Sequence, residues 1–411
     1  MENSKLKITL FTPTHKPDYI KELWETIRDQ SFSDWEWIVV PNNGAKVDFA
    51  DPRVRVIEVP YGIKSVGALK KFACDQATGD ILLEVDHDDL LTLDCLEKVN
   101  AEFEADPDLG FLYSANAKLG DFTPYGKAYG WEHKGFGWKK NALLSPVPFA
   151  PSAHSFAFIW YAPDHLRAWR TSVYRELGGH DPEYDILDDH ELLIRTYLKT
   201  KVKLLNEILY IYRITGQNTW LERNARIQTG TVELYNKYAY QLAERWAELE
   251  NLKKIDLGGG FNSPEGYLSV DLENASITAD LTKKWPFEDN SVGIVRAHDI
   301  FEHLPDKQHA MSEAYRVLAD GGWLLASVPS TDGRGAFQDP THISYWNENS
   351  FWYWTRKELA QYIRNDKIKF QEFRLETIFP SEWHKQNNIS YVVANLAAIK
   401  SDKRRPHLQL I

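Results

Sequence analysis

Two aspartates, Asp86 and Asp88, have the spacing of a metal-binding pair. They follow the apolar run 81–85, which predicts a buried strand. Residues i and i+2 of an extended segment point to the same side, so we expect both carboxylates on one face. Two such oxygen ligands suit Mg²⁺ or Mn²⁺, ions that proteins often share with substrate phosphates. Taken alone, the pair fits a solvated turn at least as well as a metal site. The surrounding elements distinguish between these two interpretations.

Those elements alternate between strands and helices. Apolar runs predict strands at 7–13, 36–40, 54–59 and 81–85, and amphipathic spacing predicts helices at 18–30 and 65–77. Strand–helix–strand order predicts an α/β fold with parallel strands and helices on both faces. In such folds ligands bind at the carboxyl ends of the strands, where Asp86 and Asp88 stand.

The order and spacing of these pieces resemble a known family. They are Phe11-Thr12-Pro13-Thr14-His15, Trp37-Ile38-Val39-Val40 before a glycine turn, Ala77-Thr78-Gly79-Asp80, and Val85-Asp86-His87-Asp88-Asp89-Leu90. This half is similar to a GT-A-fold, family 2 inverting glycosyltransferase, a Rossmann-like nucleotide-diphospho-sugar transferase. The resemblance implies a nucleotide-sugar donor, a saccharide acceptor and a divalent metal, Mn²⁺ or Mg²⁺.

The resemblance also assigns residues to the donor site. The implied donor contacts are Thr12, Pro13, Asn42, Asn43, Lys70, Asp86, Asp88 and Arg213, with Asp86 and Asp88 as metal ligands. Asn42 and Asn43 stand where the family usually has a base-recognising Asp, which leaves the nucleobase open. Lys70 would meet a phosphate as a point charge, or lie on a solvated helix face. Thr215 replaces a family histidine, so the third metal ligand is unassigned.

A second acidic motif follows about a hundred residues later. Gly178-Gly179-His180-Asp181 precedes Asp188-Asp189, which opens a predicted helix. In the resemblance the second acid of this pair, Asp189, is the catalytic base that takes the proton of the acceptor hydroxyl. The alternative is an acid that only stabilises the helix start, a role that suits Asp188 better.

Between the two motifs, residues 110–165 show little regular periodicity and predict a long functional loop on the acceptor side. Its aromatic residues are candidates for stacking on a sugar, although packing in the core is the favoured interpretation for each of them. They are Trp131, Trp138, His154 and Trp160.

The alternation restarts in the second half. A connector helix is predicted at 231–251, which divides the chain into domains 1–245 and 246–411. A strand at 253–257 runs into a glycine turn, and a second strand ends in an acid. This arrangement fits a dinucleotide or S-adenosylmethionine, because glycines allow close backbone approach and the acid accepts ribose hydroxyls. Apolar segments 370–378 and 391–399 predict an antiparallel hairpin at the sheet edge.

Residues 253–346 resemble a Rossmann-like, class I S-adenosylmethionine-dependent methyltransferase. The motifs are Ile255-Asp256-Leu257-Gly258-Gly259-Gly260, Tyr267-Leu268-Ser269-Val270-Asp271, Ala279-Asp280-Leu281 and Phe301-Glu302-His303-Leu304. The resemblance implies cofactor contacts at Asp256, Gly258, Gly259, Gly260, Asp271, Asp280, Leu281 and His298. Candidates for assisting methyl transfer are Asp299, His303 and His342, while a structural role for Glu302-His303 stays open.

Net charge and cysteine content limit the classes of partner and the compartments that we expect. The net charge of −11 disfavours nucleic acid, which basic surfaces bind. The two cysteines, Cys74 and Cys95, lack metal-type spacing and suggest thiols in a reducing compartment. We expect no membrane span and a cytoplasmic location, with peripheral membrane contact and the oligomeric state left open.

Three other interpretations remain at this stage. One domain could be inactive and serve as a binding module. The first half could modify bases of nucleic acid, against the acidic charge. The second half could be a dehydrogenase, although a third glycine of a dinucleotide motif would fall at Ser263.

Overall fold

The computed structural model describes residues 6–158, 163–365 and 367–406. The chain divides into two compact units. The first ends at Ala239 and takes in Arg404 near the C-terminus, and the second begins at Tyr240. Both units mix strands and helices, which confirms the predicted α/β class. The predicted boundary at 245 lies inside one long helix that covers residues 224–249.

The first unit is built on one mixed sheet. Its strands are β1 (Ile8–Thr14), β2 (Trp35–Pro41), β3 (Val54–Val56), β4 (Ile81–Glu84), β5 (Leu90–Leu91), β6 (Leu109–Leu119), β7 (His133–Trp138), β8 (Asn141–Pro146), β9 (Arg167–Arg170) and β10 (Lys201–Arg213). The helices are α1 (Ile20–Arg28), α2 (Val66–Asp75), α3 (Cys95–Ala105), α4 (Ala153–Ala157), α5 (Thr171–Glu176), α6 (Asp188–Lys199), α7 (Thr219–Glu222) and α8 (Asn224–Leu249).

The central strands of this sheet run in the order β3-β2-β1-β4-β9-β6-β10-β5. Strands β1, β2, β3 and β4 are parallel, as predicted, so their carboxyl ends share one edge. Strand β9 is antiparallel to both β4 and β6, and its register pairs Arg167 with Glu84 at the end of β4. Ile8, Leu10, Trp37, Ile81 and Leu83 are fully buried in the core beneath this edge.

Helix α2 shows how local sequence fixes an element that carries the site. Ser65 precedes the helix, and its hydroxyl accepts a hydrogen bond from the Ala68 backbone N–H, as the sequence predicted. The helix buries Leu69, Ala73 and Lys70 against the sheet. A buried lysine on this face rules out the solvated helix face that was one interpretation of Lys70.

The prediction of a long irregular loop at 110–165 is wrong. Strand β6 occupies residues 109–119, and β7 and β8 form an antiparallel hairpin joined to β6 through β8. The pattern was misleading because β6 is buried on both faces yet carries polar residues. One of them, Asn116, donates from its side chain to Asp164 and to the His165 carbonyl.

The second unit contains a seven-stranded sheet among its described residues. Its strands are β11 (Lys253–Leu257), β12 (Leu268–Asp271), β13 (Ile277–Thr278), β14 (Val292–His298), β15 (Leu318–Pro329), β16 (Phe370–Ile378) and β17 (Tyr391–Ala398). Its helices besides the end of α8 are α9 (Lys307–Val317), α10 (Gly335–Gln338), α11 (Glu348–Thr355), α12 (Lys357–Ala360) and α13 (Glu382–Gln386).

These strands run in the order β13-β12-β11-β14-β15-β17-β16. Strands β11 to β15 are parallel, and β16 and β17 form the predicted antiparallel hairpin, with β16 outermost. The glycine turn after β11 and the acid that ends β12 therefore lie at one edge. Within the described ranges, no helix of either unit has the length and apolar character that a membrane crossing requires.

Candidate active sites

The acidic turn of the first unit follows β4. The strand ends at Glu84, and the Asp89 backbone N–H donates to the Asp86 carbonyl at 3.2 Å, closing a turn over residues 86–89. Asp86 and Asp88 are therefore not alternate residues of an extended strand, and that part of the prediction is wrong. Within the turn, Asp86 and Asp88 are near enough for the Asp88 charge to raise the pKa of Asp86.

Each end of this turn is held by a neighbouring strand segment. The Nε2 atom of His165 lies 3.3 Å from a carboxylate oxygen of Asp86, and the Arg213 backbone N–H donates to Asp89 at 2.7 Å. The Arg213 guanidinium donates to the Asp88 carbonyl at 2.7 Å. Arg213, a predicted donor contact, thus lies against the acidic turn.

The turn gathers negative charge that the protein does not fully neutralise. Burial raises the pKa of Asp86, and repulsion from Glu84 and Asp88 raises it further, against an opposing effect of His165. Burial likewise raises the pKa of Asp89 well above its usual range. Carboxylates that are short of positive charge suit a divalent cation, so the residues present fit the metal implied by the sequence.

Behind the turn lies a buried ionic network that joins β4, α2, β9 and α6. The Lys70 ammonium contacts Glu84 at 2.7 Å and Asp188 at 3.0 Å. The Arg167 guanidinium contacts Asp189 at 2.8 Å and Glu84 at 3.5 Å. Two cations thus hold three carboxylates, and they fix the start of α6 next to the end of β4.

The two acids that open α6 differ in exposure and in pKa. Burial raises the pKa of Asp188 to about 6, even though Lys70 opposes this effect. Burial also acts to raise the pKa of Asp189, but Arg167 and Lys70 outweigh it and lower the pKa to about 2. The Asp189 side chain is 20% exposed and that of Asp188 is 6% exposed. Asp189 is therefore the ionised acid that a substrate can reach.

The other predicted donor residues lie along the carboxyl edge of β1 and β2. The Thr12 hydroxyl is buried, donating to the Val85 carbonyl and accepting from the Trp37 indole, so its side chain joins strands and is not a donor contact. Pro13 follows it in β1. Asn42 is half-buried and Asn43 exposed, both in the turn after β2.

Lys70 departs from its predicted role as a phosphate contact. Its side chain is only 10% exposed and its ammonium is bound to two carboxylates. We correct that prediction: Lys70 holds Glu84 and Asp188 together. The aromatic candidates mainly pack, since Trp131 contacts Phe149 with ring centroids 4.9 Å apart and His154 is buried. Trp138 is partly buried, and Trp160 lies outside the described residues.

Sequence reasoning missed the residues that organise this site, Glu84, His165 and Arg167. All three are at least nine-tenths buried and carry charge or a ring nitrogen. A signal was present, because His165 and Arg167 alternate with the apolar Leu166 and Ala168 across the point where β9 begins. Polar side chains on the inner face of a buried strand need partners, which here are Asp86 and Asp189.

In the second unit, the glycine turn after β11 has a backbone that other residues rarely adopt. Gly258 and Gly260 have φ angles of 71° and 47°. A Cβ on Gly259 would lie 2.2 Å from a carboxylate oxygen of Asp256, and one on Gly260 would lie 3.6 Å from Asp271. The turn therefore leaves a cradle beside the Asp271 carboxylate, which fits the cofactor implied by the sequence.

Asp256 supports this turn from beneath. Its carboxylate is fully buried, 2.6 Å from the Arg296 guanidinium, and accepts from the Ser263 hydroxyl at 2.7 Å. The prediction that Asp256 contacts the cofactor directly is therefore corrected to a role in positioning the turn. Ser263, at the place of the missing third glycine, closes the turn onto Asp256.

His298 ends β14 with both ring nitrogens in use. Arg296 donates to Nδ1 at 2.9 Å, so Nε2 carries the proton and donates to the Tyr240 hydroxyl at 2.7 Å. Burial and the nearby Arg296 lower the pKa of His298 to about 4. His298 is therefore a neutral, fixed imidazole that has no free nitrogen for a ligand or a proton.

The remaining predicted residues are spread along the same edge. The exposed Asp280 carboxylate accepts from the Thr282 backbone and hydroxyl, and Leu281 is buried. Asp299 has a φ angle of 51° and its backbone N–H donates to the Ser327 carbonyl. His303 and His342 come together, with ring centroids 5.1 Å apart.

Comparison with known proteins identifies both halves. Residues 9–159 match the family model described as glycosyl transferase family 2, and residues 262–326 match a model described as methyltransferase domain. A glycosyltransferase family 2 domain therefore lies in the first half, and a methyltransferase domain lies in the second half. Both resemblances drawn from the sequence are confirmed at this level. The methyltransferase match begins after the glycine turn, so it does not cover Asp256 or Gly258.

A curated relative adds no function. The uncharacterized protein y4gI of Sinorhizobium fredii (strain NBRC 101917 / NGR234) is 24% identical over 229 residues, which are 52% of this chain and 23% of that protein. The chain thus spans less than a quarter of the length of this relative.

Solved structures of glycosyltransferases are also similar. The S. aureus TarS 1–349 structure in complex with UDP-GlcNAc is 16% identical, with a TM-score of 0.44, over 60% of this chain and 72% of that 1–349 chain. The mannosyltransferase PcManGT from Pyrobaculum calidifontis, in complex with GDP-Man and Mn²⁺, is 16% identical, with a TM-score of 0.38, over 56% of this chain and 64% of that chain.

Proposed function

We propose that the first unit transfers a sugar from a nucleotide-diphosphate donor to a hydroxyl of a saccharide acceptor, with inversion and with a divalent metal, Mn²⁺ or Mg²⁺, at Asp86 and Asp88. The second unit binds S-adenosylmethionine and methylates a hydroxyl of that sugar or of the product. The family matches support the two reaction classes, and the geometry supports the roles of individual residues.

The observation that carries the proposal is the pairing of β4 with β9. Glu84 stands opposite Arg167, and the next residues outward bring Asp86 to His165. Arg167 in turn holds Asp189. These contacts bring the acidic turn and Asp189 near the same strand end, which supports a donor clamp and a base that act together.

The chain's own residues account for the sugar-transfer step. Asp189, ionised at neutral pH, accepts the proton of the acceptor hydroxyl while that oxygen attacks the anomeric carbon opposite the leaving group. The bond to the diphosphate oxygen breaks, and a metal bound at Asp86 and Asp88 would neutralise the leaving charge. Arg167 orients Asp189, and the acceptor hydroxyl approaches through the exposed part of its carboxylate.

For the second unit, the Gly258–Gly260 turn and Asp271 form the cofactor cradle. S-adenosylmethionine supplies an electrophilic methyl group there when it is bound. His298 has no free nitrogen, so it positions Arg296 and Tyr240 and does not act as a base. Asp299, His303 and His342 stay the candidates for receiving the proton of the methylated hydroxyl, and the two histidines can do so only while their Nε2 atoms hold no other ligand.

A donor panel tests the first half. UDP- and GDP-sugars are incubated with the full chain in Mn²⁺ or in EDTA, and release of the nucleoside diphosphate is measured. We expect turnover with Mn²⁺ that Asp88→Ala reduces at least a hundredfold and that Asp108→Ala, an exposed acid elsewhere in the unit, leaves unchanged. Undiminished turnover by Asp88→Ala, or in EDTA, would refute the metal assignment.

Calorimetry tests the second half. S-adenosylhomocysteine is titrated into the full chain, and NAD⁺ is titrated in parallel. We expect heat from S-adenosylhomocysteine only, lost in Asp271→Ala. Binding of NAD⁺ instead would support a dehydrogenase, and binding of neither ligand would indicate a methyltransferase-like module without activity.

A further inference from the structure

A buried carboxylate that accepts no hydrogen bond from any described residue lies beyond the end of β14. Glu302 is 2% exposed, and neither of its carboxylate oxygens has a hydrogen-bond partner among the described residues. Its backbone carbonyl accepts from Ile343 and Ser344, which fixes the chain of the 339–346 loop over it. A carboxylate buried in this way lacks compensation unless a cation or a donor joins it.

Two histidines face this carboxylate. Single ligand atoms of Glu302, His303 and His342 all lie within 4.8 Å of one another. The His342 Nε2 atom is 4.0 Å from a Glu302 oxygen and 4.0 Å from a carboxylate oxygen of Asp339. Ligands of one metal ion at about 2.1 Å stand roughly 3.0–3.5 Å apart, so ligand atoms as far apart as 4.8 Å have to approach each other by about 1.3–1.8 Å.

The imidazoles are already oriented as metal ligands usually are. His303 Nδ1 lies 3.2 Å from the Thr341 carbonyl and His342 Nδ1 lies 3.1 Å from the Ala336 carbonyl. A carbonyl only accepts, so each Nδ1 carries the proton and each Nε2 keeps its lone pair. Backbone carbonyls that hold the second ring nitrogen are the common support of metal-bound histidines.

We propose that Glu302, His303 and His342 bind a divalent cation in the methyltransferase unit. Two imidazole nitrogens and one carboxylate oxygen favour Zn²⁺, Co²⁺ or Mn²⁺ over Mg²⁺ or Ca²⁺, which prefer oxygen ligands. Asp339 offers a fourth oxygen. With Glu302, His303 and His342 as the three protein ligands, one coordination position stays open for water, a substrate oxygen or the Asp339 carboxylate.

This site is distinct from the acidic turn at Asp86 and Asp88, which belongs to the other unit. It follows β14 at the edge where β11 leads into its glycine turn and β12 ends in Asp271. Cation binding there does not depend on sugar transfer or on methyl transfer, so it can be tested without a substrate.

The test is a titration of the full chain with Co²⁺, followed by visible absorption and calorimetry. The Asp88→Ala chain serves as the background, because it removes one ligand of the other proposed metal site. We expect one equivalent of Co²⁺ with a ligand-field band, displaced by Zn²⁺ but not by a hundredfold excess of Mg²⁺. His342→Ala and Glu302→Gln should each weaken binding at least tenfold.

The matched control is His309→Ala, since His309 lies in the same unit and bonds the Lys283 carbonyl instead. The proposal would be overturned if His342→Ala and Glu302→Gln bound Co²⁺ as tightly as the control does. It would also be overturned if the chain bound no Co²⁺. If the variants do not fold, hydrogen exchange of the Asp88→Ala chain, measured with and without Co²⁺, locates the bound cation. Co²⁺ should protect segments 299–304 and 336–346, and protection confined to other segments would refute the site.

Discussion

Replacement of Lys70 by methionine tests the buried network that positions Asp189. The ammonium compensates Glu84 and Asp188, whose side chains are 1% and 6% exposed. Glu84 keeps Arg167 at 3.5 Å after the substitution, so Asp188 is the carboxylate left without a cation. Breaking a buried pair costs about 3–5 kcal/mol, and the remaining Arg167 favours the low end, about 3 kcal/mol at pH 8.

The loss of stability caused by Lys70→Met should depend on pH. Lys70 opposes the effect of burial on the pKa of both carboxyls, so its removal raises their pKa in the folded state. A folded-state pKa above the unfolded value means that the folded variant takes up protons first, and its stability rises as pH falls. The difference from the unmodified chain should therefore narrow between pH 8 and pH 5.5.

Urea unfolding of the full chain, followed by tryptophan fluorescence, measures this change. Lys71→Met is the matched control, because Lys71 stands on the same helix in an exposed pair with Asp75, worth about 0–1 kcal/mol. Hydrogen exchange of β4 and α6 peptides assigns the lost stability to the first unit. A loss as small as that of the control, or one that does not vary with pH, would refute the reasoning.

Three further predictions concern single contacts. Arg167→Gln should raise the pKa of Asp189 from about 2, because the guanidinium that stabilises its charge is lost. The acidic limb of the pH profile of donor hydrolysis should therefore move to higher pH. An acidic limb at the same pH as in the unmodified chain would contradict this prediction. Gly259→Ala should weaken S-adenosylhomocysteine binding at least tenfold in calorimetry, because the added Cβ would collide with Asp256. Donor hydrolysis by the first unit should not change. An unchanged affinity for S-adenosylhomocysteine would contradict the proposed cofactor site at the glycine turn. Asp306→Ala removes the hydrogen bond from the His309 backbone N–H that caps α9, and it should cost about 1 kcal/mol in urea unfolding; an unchanged stability would contradict this.

The sequence predicted the elements whose apolar spacing is regular. Helix α2 begins after Ser65 as expected, and the β16–β17 hairpin lies at its predicted edge. Strand β6 was not predicted, because its structure depends on burial in the folded protein and its sequence shows no alternation of apolar and polar residues. The 54–59 strand was predicted too long, since only residues 54–56 pair with β2.

The candidate sites were predicted as motifs but not as networks. Asp189 was predicted as the base from its motif, whereas Arg167, which lowers its pKa, lies 22 residues away and meets it only through the β4–β9 pairing. Lys70 was misread because a lysine on a predicted helix gives no sign of burial. Periodicity locates each side chain on an element, but ion pairs across elements depend on the register of the sheet.

The most direct test of the central claim is single-turnover hydrolysis of the preferred donor by Asp189→Asn, with donor affinity measured on the same sample. The substitution keeps the shape of the side chain and removes its basicity. We predict unchanged donor affinity and a rate at least a hundredfold lower. Transfer to water at the unmodified rate would show that Asp189 is not the base.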